Sequence, residues 1–191
     1  MKTTGTLIAA FGRQYEVRTD DTGEILLCVP RGKKSLFACG DRVQIAATGP
    51  GQGVIDKLLE RTSLLYRSDA WRQKLIAANA TQVVLVVATE PSFSDEFLSR
   101  CICAAESQHL KVLIVLNKID IVAGLEGARA QLATFAKLGY PILELSALDS
   151  ADALRARLIG ETSLLVGQSG MGKSTLTNAL IPEARAETRE I

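Results

Sequence analysis

The chain carries two different patterns of hydrophobic and polar residues, one in each part. Up to about residue 60, short β-prone runs alternate with turn segments such as Asp20-Asp21-Thr22-Gly23 and Thr48-Gly49-Pro50-Gly51. Glycine, proline and aspartate in these positions favour turns, and the apolar residues between them recur at the period of a strand. The predicted strands are 6–11, 14–18, 24–29, 42–46 and 53–58. Five short strands in succession are typical of an OB-like β-barrel.

From about residue 75 the pattern changes to that of an α/β domain. The runs 81–88 and 111–116 are continuously apolar, as expected of parallel strands that are buried on both faces. Between them, Phe97, Cys101 and Ala105 repeat at helical spacing behind Ser94, a residue type that caps helices. The later pattern predicts helices at 127–138 and 151–159 and strands at 140–145 and 162–166. Strands that alternate with helices predict a parallel sheet.

These patterns divide the chain into an OB-like domain at 1–62, a linker at 63–74 and an α/β domain at 75–191. With 47% hydrophobic and 23% charged residues, the chain has enough apolar content for packed cores. No apolar run is long enough to span a bilayer, and none follows the first residues as in a secretory signal. The four cysteines form no C-x-x-C pair, which favours buried thiols in a reducing compartment. A soluble cytoplasmic protein without a membrane partner is expected.

The net charge of +1 conceals a difference between the two parts. Residues 1–74 contain 12 Lys and Arg against 8 Asp and Glu, whereas residues 75–191 contain 10 against 13. A basic first part suggests a polyanionic partner. Four side chains of the barrel would supply the electrostatic part of RNA binding, namely Arg31, Lys33, Lys34 and Arg42. The alternative is that these charged side chains form a solvated barrel surface that binds no ligand.

A glycine-rich stretch near the end of the chain carries the clearest chemical signal. It reads Gly167-Gln168-Ser169-Gly170-Met171-Gly172-Lys173-Ser174-Thr175 and lies between a predicted strand and a predicted helix. In that context the pattern G-x-x-x-x-G-K-[ST] binds phosphate, because successive backbone N–H groups point into one concavity at a helix N-terminus. Lys173 would add a charge between the β- and γ-phosphates, and Ser174 Oγ would ligate Mg²⁺.

A second motif, Asn117-Lys118-Ile119-Asp120, follows the predicted strand at 111–116. Asp120 could accept hydrogen bonds from both N1–H and the amine of guanine, whereas adenine would leave this carboxylate unpaired. Asn117 would pin the neighbouring loops, and the stem of Lys118 would lie against the base. A further strand ends in Ser146-Ala147, where the Ala147 N–H could reach guanine O6. Three loops at three strand ends predict a site for GTP or GDP with Mg²⁺.

The order of these motifs resembles that of one protein family. They look like the G4 (Asn117–Asp120), G5 (Ser146-Ala147) and G1 (Gly167–Thr175) elements of a Ras-like GTPase, but with the phosphate loop last. A barrel followed by this permuted order is similar to the small ribosomal subunit biogenesis GTPases, the RsgA family. The resemblance implies a cytoplasmic GTPase that acts late in maturation of the 30S subunit, with the barrel docked on 16S rRNA. A monomer is expected.

The resemblance is incomplete at the end of the chain. Family members continue into a switch I threonine, an Asp-x-x-Gly switch II and a Cys/His domain that binds Zn²⁺, and none of these follows Lys173 here. The sequence is therefore expected to be an N-terminal portion that binds nucleotide but lacks catalytic residues and zinc ligands. Its sheet is expected to have four contiguous strands, with the strand at 162–166 as an open edge.

Two other classes of function stay open from the sequence. One is an ATP-using P-loop enzyme such as a kinase, against which Asn117–Asp120 argues. The other is a nucleotide-independent RNA-binding module with a vestigial phosphate loop. Comparing GTP with ATP binding tests the first, and RNA binding that GDP does not affect would favour the second.

Overall fold

A computed structural model describes residues 2–32, 37–68 and 73–184. The chain separates into two compact units, Met1–Ala80 and Thr81–Ile191. The division between Ala80 and Thr81 differs from the sequence-based division, which placed a linker at 63–74. Lys33, Lys34 and Trp71 lie outside the described residues.

The first unit contains a closed five-stranded barrel with the order β1-β2-β3-β5-β4. Strands β1 and β4 close the barrel in antiparallel fashion, and β3 pairs with β5 in parallel. The bounds are β1 Lys2–Phe11, β2 Gln14–Thr19, β3 Ile25–Pro30, β4 Arg42–Gly49 and β5 Gln52–Leu58. The structure therefore confirms the predicted OB-like barrel, and all five predicted strands are present.

The barrel is filled by every second residue of its strands. Side chains such as Leu7, Val17, Val43 and Ile45 are completely buried, while their neighbours along the strand are half-buried or exposed. This alternation follows from the two-residue period of a strand. It is the same period that the sequence shows, which explains why the strand predictions succeed here.

A β-hairpin occupies much of the segment that was predicted as a linker. Its strands are β6, Leu64–Ser68, and β7, Gln73–Ala78, which pair in antiparallel fashion. Arg61, which precedes the hairpin, donates two hydrogen bonds of 2.7 Å to the buried carboxylate of Asp41. A further bridge joins Cys39 to Ala77. These contacts connect the hairpin to the barrel, so both belong to the first unit. The contacts join residues that are far apart in the chain, and the local sequence of the segment does not predict them.

The second unit is built around a parallel four-stranded sheet with the order β10-β9-β8-β11. Its strands are β8 Gln82–Ala88, β9 Lys111–Asn117, β10 Ile142–Glu144 and β11 Ser163–Val166. The helices are α1 Asp95–Glu106, α2 Leu125–Lys137, α3 Asp152–Leu158 and α4 Lys173–Leu180, followed by a 3₁₀ turn, Pro182–Ala184. The predicted alternation of strands and helices is confirmed.

The two central strands form the core of this sheet. Every residue of β8 is buried, and in β9 only Lys111 is exposed, because helices cover both faces of a parallel sheet. Helix α1 buries Leu98, Ile102 and Ala105 along one face. Its start is capped as predicted, since Ser94 Oγ accepts a hydrogen bond of 3.3 Å from the N–H of Phe97.

The cysteines are free, but the prediction that they are buried holds only in part. Cys28 lies in the barrel core, whereas Cys103 is exposed. Cys103 follows the buried Ile102, and successive helix residues point about 100° apart, so its side chain faces outwards. Burial raises the pKa of the Cys28 thiol.

Strand β11 forms one edge of the sheet, and no further strand pairs with it among the described residues. An apolar groove of about 350 Å³ lies beside it, between α3 and α4. The groove is lined by residues that include Leu158, Ile159, Leu165, Leu180 and Ile181. The expected arrangement of four contiguous strands with β11 at the edge is thus observed.

None of the helices in the described ranges is both long and apolar enough to cross a membrane. The same ranges contain no cluster of three or more His, Cys, Asp or Glu residues that could hold a metal ion.

Candidate nucleotide site

The glycine-rich loop lies between β11 and α4, as the sequence predicts. Helix α4 begins at Lys173 behind Gly172, which has a φ of 86°, and Gly170 has a φ of 81°. These are left-handed conformations that residues with a Cβ rarely adopt. The first backbone N–H groups of α4, from Lys173 to Thr175, have no acceptor within the helix. The loop therefore ends in a cluster of N–H groups without intrahelical acceptors, at the positive end of a helix dipole.

Two glycines of the loop are required by close packing. A Cβ at Gly167 would lie 2.3 Å from the carbonyl oxygen of Val86 in β8. A Cβ at Gly172 would lie 2.2 Å from Nδ2 of Asn117. Both distances are far below van der Waals contact. The loop can therefore lie against the neighbouring strand ends only because these side chains are absent.

Lys173 is folded back onto the loop. Its Nζ donates a hydrogen bond of 2.7 Å to the carbonyl oxygen of Gln168. The side chain is half-buried, and this burial lowers the pKa of the ammonium group. An anion beside Nζ would have the opposite effect on the pKa, because it favours the charged form. Ser174 and Thr175 are half-buried in the first turn, and Ser169 is exposed.

Asn117 joins three loops, as its position at the end of β9 suggested. It is buried, with 1% of its surface exposed. Its Nδ2 donates a hydrogen bond of 2.9 Å to the carbonyl oxygen of Met171 in the phosphate loop. Its Oδ1 accepts one of 3.0 Å from the N–H of Ala147. One carboxamide therefore fixes the phosphate loop and the Ser146-Ala147 loop to the loop after β9, Asn117-Lys118-Ile119-Asp120, which is called the base loop below.

The second of these bonds differs from the sequence-based expectation for Ala147. That N–H was expected to face guanine O6, but in the structure it donates to Asn117 instead. It is therefore not a free donor. The contact depends on two loops 30 residues apart in the chain, so the sequence gives no sign of it.

A cavity of about 220 Å³ opens between the same loops. It is lined by Asn117, Lys118, Asp120, Ile121, Ser146, Ala147, Leu148, Gly172 and Thr175. Asp120 is exposed at its edge, and Ile119 is half-buried beside it. Within the described part of the chain, the hydroxyl of Ser146 is buried without a hydrogen-bond partner.

Lys118 is held in an unusual conformation. Its φ is 61°, and its carbonyl oxygen accepts a hydrogen bond of 3.0 Å from Thr89 Oγ1. Its Nζ donates one of 2.9 Å to the carbonyl oxygen of Glu90. Positive φ is rare outside glycine and is often found where a functional site requires it. Neither contact was foreseen from the sequence, since Thr89 and Glu90 carry no motif.

The fold and the site together define a class of protein. A phosphate loop, a base loop and a third strand-end loop meet at the carboxyl edge of one parallel sheet, and the base loop precedes the phosphate loop in the chain. This is a parallel α/β domain with a P-loop motif and a permuted motif order, and it follows a five-stranded barrel in the chain. The chain belongs to the RsgA GTPase family, whose model matches residues 58–191.

Curated relatives agree with this assignment. The small ribosomal subunit biogenesis GTPase RsgA of Burkholderia pseudomallei is 53% identical over 191 residues, which cover 98% of this chain and 61% of the relative. The protein of the same name from Nitrosospira multiformis is 53% identical over 187 residues, which cover 98% of this chain and 59% of the relative. The chain thus spans about three fifths of the length of these relatives.

Solved structures show the same architecture. The crystal structure of YjeQ from Thermotoga maritima matches with a TM-score of 0.76 and 31% identity, over 95% of this chain and 66% of that one. YloQ, described as a circularly permuted GTPase, matches with a TM-score of 0.69 and 27% identity, over 96% of this chain and 66% of that one. The predicted family and fold class are confirmed.

Proposed function

We propose that this chain binds GTP and GDP together with Mg²⁺ at the three converging loops. The observation that carries the proposal is the geometry around Asn117, which joins the phosphate loop and the base loop beside one cavity that both of them line. Two glycines allow the phosphate loop to pack closely against the ends of neighbouring strands, and Gly172 of this loop lines the cavity.

The phosphate end of the site consists of the loop from Gly167 to Thr175. Backbone N–H groups at the start of α4 would bind phosphate oxygens. The Lys173 ammonium group has three N–H donors, so it would bind phosphate while it keeps its hydrogen bond to the Gln168 carbonyl. Ser174 would contribute its Oγ to Mg²⁺. Mg²⁺ held there would neutralise negative charge on the phosphates.

The base end consists of Asn117, Lys118, Ile119 and Asp120 with Ser146 and Ala147. Asp120 lines the cavity and is exposed, so its carboxylate is accessible to the N1–H and amine of guanine. The Lys118 stem would lie along the base, and Asn117 would act through the loops it joins. Ala147 would contribute backbone surface, because its N–H is already bonded to Asn117.

Base specificity can be tested by Asp120→Asn. The variant should bind GDP at least tenfold more weakly and xanthosine diphosphate more tightly, since the 2-oxo group of xanthine suits an amide donor. Fluorescent GDP binding with GTP, ATP and xanthosine diphosphate as competitors measures both changes. ATP competing as well as GTP in the wild-type chain would favour the ATP-dependent class instead, and unchanged GDP affinity in the variant would remove Asp120 from the base site.

We further propose the biological role suggested by relatives that are named small ribosomal subunit biogenesis GTPases. In this role the protein acts in the cytoplasm as a monomer during late maturation of the 30S subunit, and its barrel contacts 16S rRNA. Two of the four basic residues singled out for that contact are paired within the barrel. Arg31 donates to Asp56 at 2.7 Å, and Arg42 donates to Asp20 at 2.7 Å. This pairing leaves less free positive charge than the sequence suggests.

The barrel contact is tested by replacing Arg31, Lys33 and Lys34 with Ala. Binding to 30S subunits should weaken, and its dependence on salt should become less steep because fewer counterions are released. If the slope is unchanged, the charged segment does not contact RNA. If RNA binds equally with and without GDP, and the chain does not bind GDP, the chain is a nucleotide-independent RNA-binding module.

GTP hydrolysis is proposed for the longer family members rather than for these 191 residues. The sequence after Lys173 contains no Asp-x-x-Gly segment, and phosphoryl transfer depends on groups that position water and stabilise charge. We therefore expect GDP and GTP to bind with similar affinity and turnover to be absent. Turnover stimulated by 30S subunits and abolished by Lys173→Ala would contradict this expectation. The zinc domain of longer members would likewise lie outside these residues.

A further inference from the structure

Gln168 is bonded through both its main chain and its side chain. Its carbonyl oxygen accepts the hydrogen bond of 2.7 Å from Lys173 Nζ. Its side-chain Oε1 accepts a hydrogen bond of 3.1 Å from the backbone N–H of Ser94, which lies 74 residues earlier in the chain. The motif pattern leaves this position unspecified, so the sequence alone gives its side chain no role.

The partner N–H has a particular place in helix α1. Ser94 is the N-cap, and its side chain and carbonyl oxygen already accept bonds from Phe97 and Leu98. In a capping box, a Glu or Gln three residues after the cap accepts a bond from the N–H of the cap residue. Here that position is Phe97, which has no acceptor in its side chain. Gln168 supplies the missing acceptor from the phosphate loop.

The segment that carries Ser94 is anchored on two other sides. This segment, residues 89–95, joins β8 to α1. At its start, Thr89 and Glu90 are bonded to Lys118 of the base loop. At its end, Asp95 accepts a hydrogen bond of 2.6 Å from Nε2 of Gln131 in α2. Contacts on both sides of Ser94 therefore hold its backbone N–H in place.

We propose that Gln168 is a positioning residue of the nucleotide site, which holds Lys173 in place by anchoring the phosphate loop to Ser94. The bond between Oε1 and Ser94 restrains the Gln168 residue, and the carbonyl of the same residue orients the Lys173 ammonium group. The proposal rests on the proposed nucleotide binding. It adds the side chain of Gln168, which would act on the nucleotide through Lys173. No contact between the Gln168 side chain and nucleotide is required.

The test compares GDP affinity in Gln168→Met and in the wild-type chain. Met has a similar length but cannot replace the amide as an acceptor, so affinity should fall about threefold to tenfold, the equivalent of one hydrogen bond. Gln168→Asn keeps the amide, but its side chain is one methylene shorter, and its GDP affinity should fall by a similar factor. Gln52→Met makes the same exchange at an exposed barrel position and should bind GDP as the wild type does.

A double-mutant cycle with Lys173→Ala separates positioning from a purely structural role. If Gln168 acts through Lys173, then Gln168→Met should change GDP affinity by less than about twofold when Lys173 is already absent. Equal losses in both backgrounds would overturn the proposal. Hydrogen exchange at the Ser94 amide in the nucleotide-free chain should be faster in both Gln168 variants, and unchanged exchange would also overturn it.

The outcomes distinguish this inference from the function on which it rests. A wild-type chain that binds GDP, together with Gln168 variants that bind it equally well, would refute the positioning role alone. A wild-type chain that fails to bind GDP would refute the proposed function and this inference with it.

Discussion

The clearest test of the site concerns Asn117, because one buried carboxamide joins three loops. Asn117→Ala removes the bond of 2.9 Å to the Met171 carbonyl and the bond of 3.0 Å from the Ala147 N–H. Asn117→Asp has nearly the same shape, but it replaces the Nδ2 donor by an oxygen that faces the Met171 carbonyl. The two variants therefore separate the loss of hydrogen bonds from the loss of packing.

The magnitude follows from the surroundings of the two partners. Met171 is 1% exposed, so its carbonyl oxygen would stay buried without a donor, at a cost of about 1–3 kcal/mol. Ala147 is half-buried, and water can in part replace its lost partner, which limits that loss to about 0.5–1.5 kcal/mol. We expect Asn117→Ala to lower the free energy of unfolding by about 1.5–4.5 kcal/mol. Asn117→Asp should be at least as destabilising.

Urea unfolding, monitored by circular dichroism, measures the change in stability. Hydrogen exchange and GDP binding are measured on the same variants. The Ala147 amide should lose protection in Asn117→Ala but keep it in Asn117→Asp, where one side-chain oxygen remains in place. Because the loops no longer hold their mutual positions, GDP affinity should fall at least tenfold in both variants. Full stability and unchanged GDP affinity in Asn117→Asp would refute the view that the carboxamide fixes the phosphate loop.

Two further predictions concern close packing and charge burial. Gly167→Ala should destabilise the second unit by about 1–3 kcal/mol and weaken GDP binding, because the new Cβ would lie 2.3 Å from the Val86 carbonyl. Gly127→Ala is the control, because nothing lies within 4 Å of the Cβ that it adds. Since Gly127 lies within helix α2, this exchange should stabilise the second unit by about 1 kcal/mol. Equal effects of the two substitutions on urea unfolding would contradict the packing explanation. Asp41→Asn should destabilise the barrel by about 2–4 kcal/mol, because Asp41 is 0% exposed and Arg61 would lose its bidentate partner. An unchanged urea midpoint would show that the ion pair does not stabilise the barrel.

The sequence by itself determined the elements and the local motifs. The five barrel strands follow from a two-residue period, and the buried strands β8 and β9 follow from continuous apolar runs. The capping of α1 by Ser94 and the glycine loop before α4 were also predicted correctly. All of these depend on residues that lie within a few positions of each other, so periodicity and residue type are sufficient to predict them.

Only the tertiary structure decided which groups are available at the surface and in the site. The Ala147 N–H is bonded to Asn117, Arg42 is paired with Asp20, and the Ser94 N–H is bonded to Gln168. The first two pairs are separated by 30 and 22 residues, and the third by 74. The hairpin that replaces the expected linker likewise depends on distant contacts with the barrel. Such contacts arise when strands and loops that are far apart in the chain come together, and no local pattern specifies which donor then meets which acceptor.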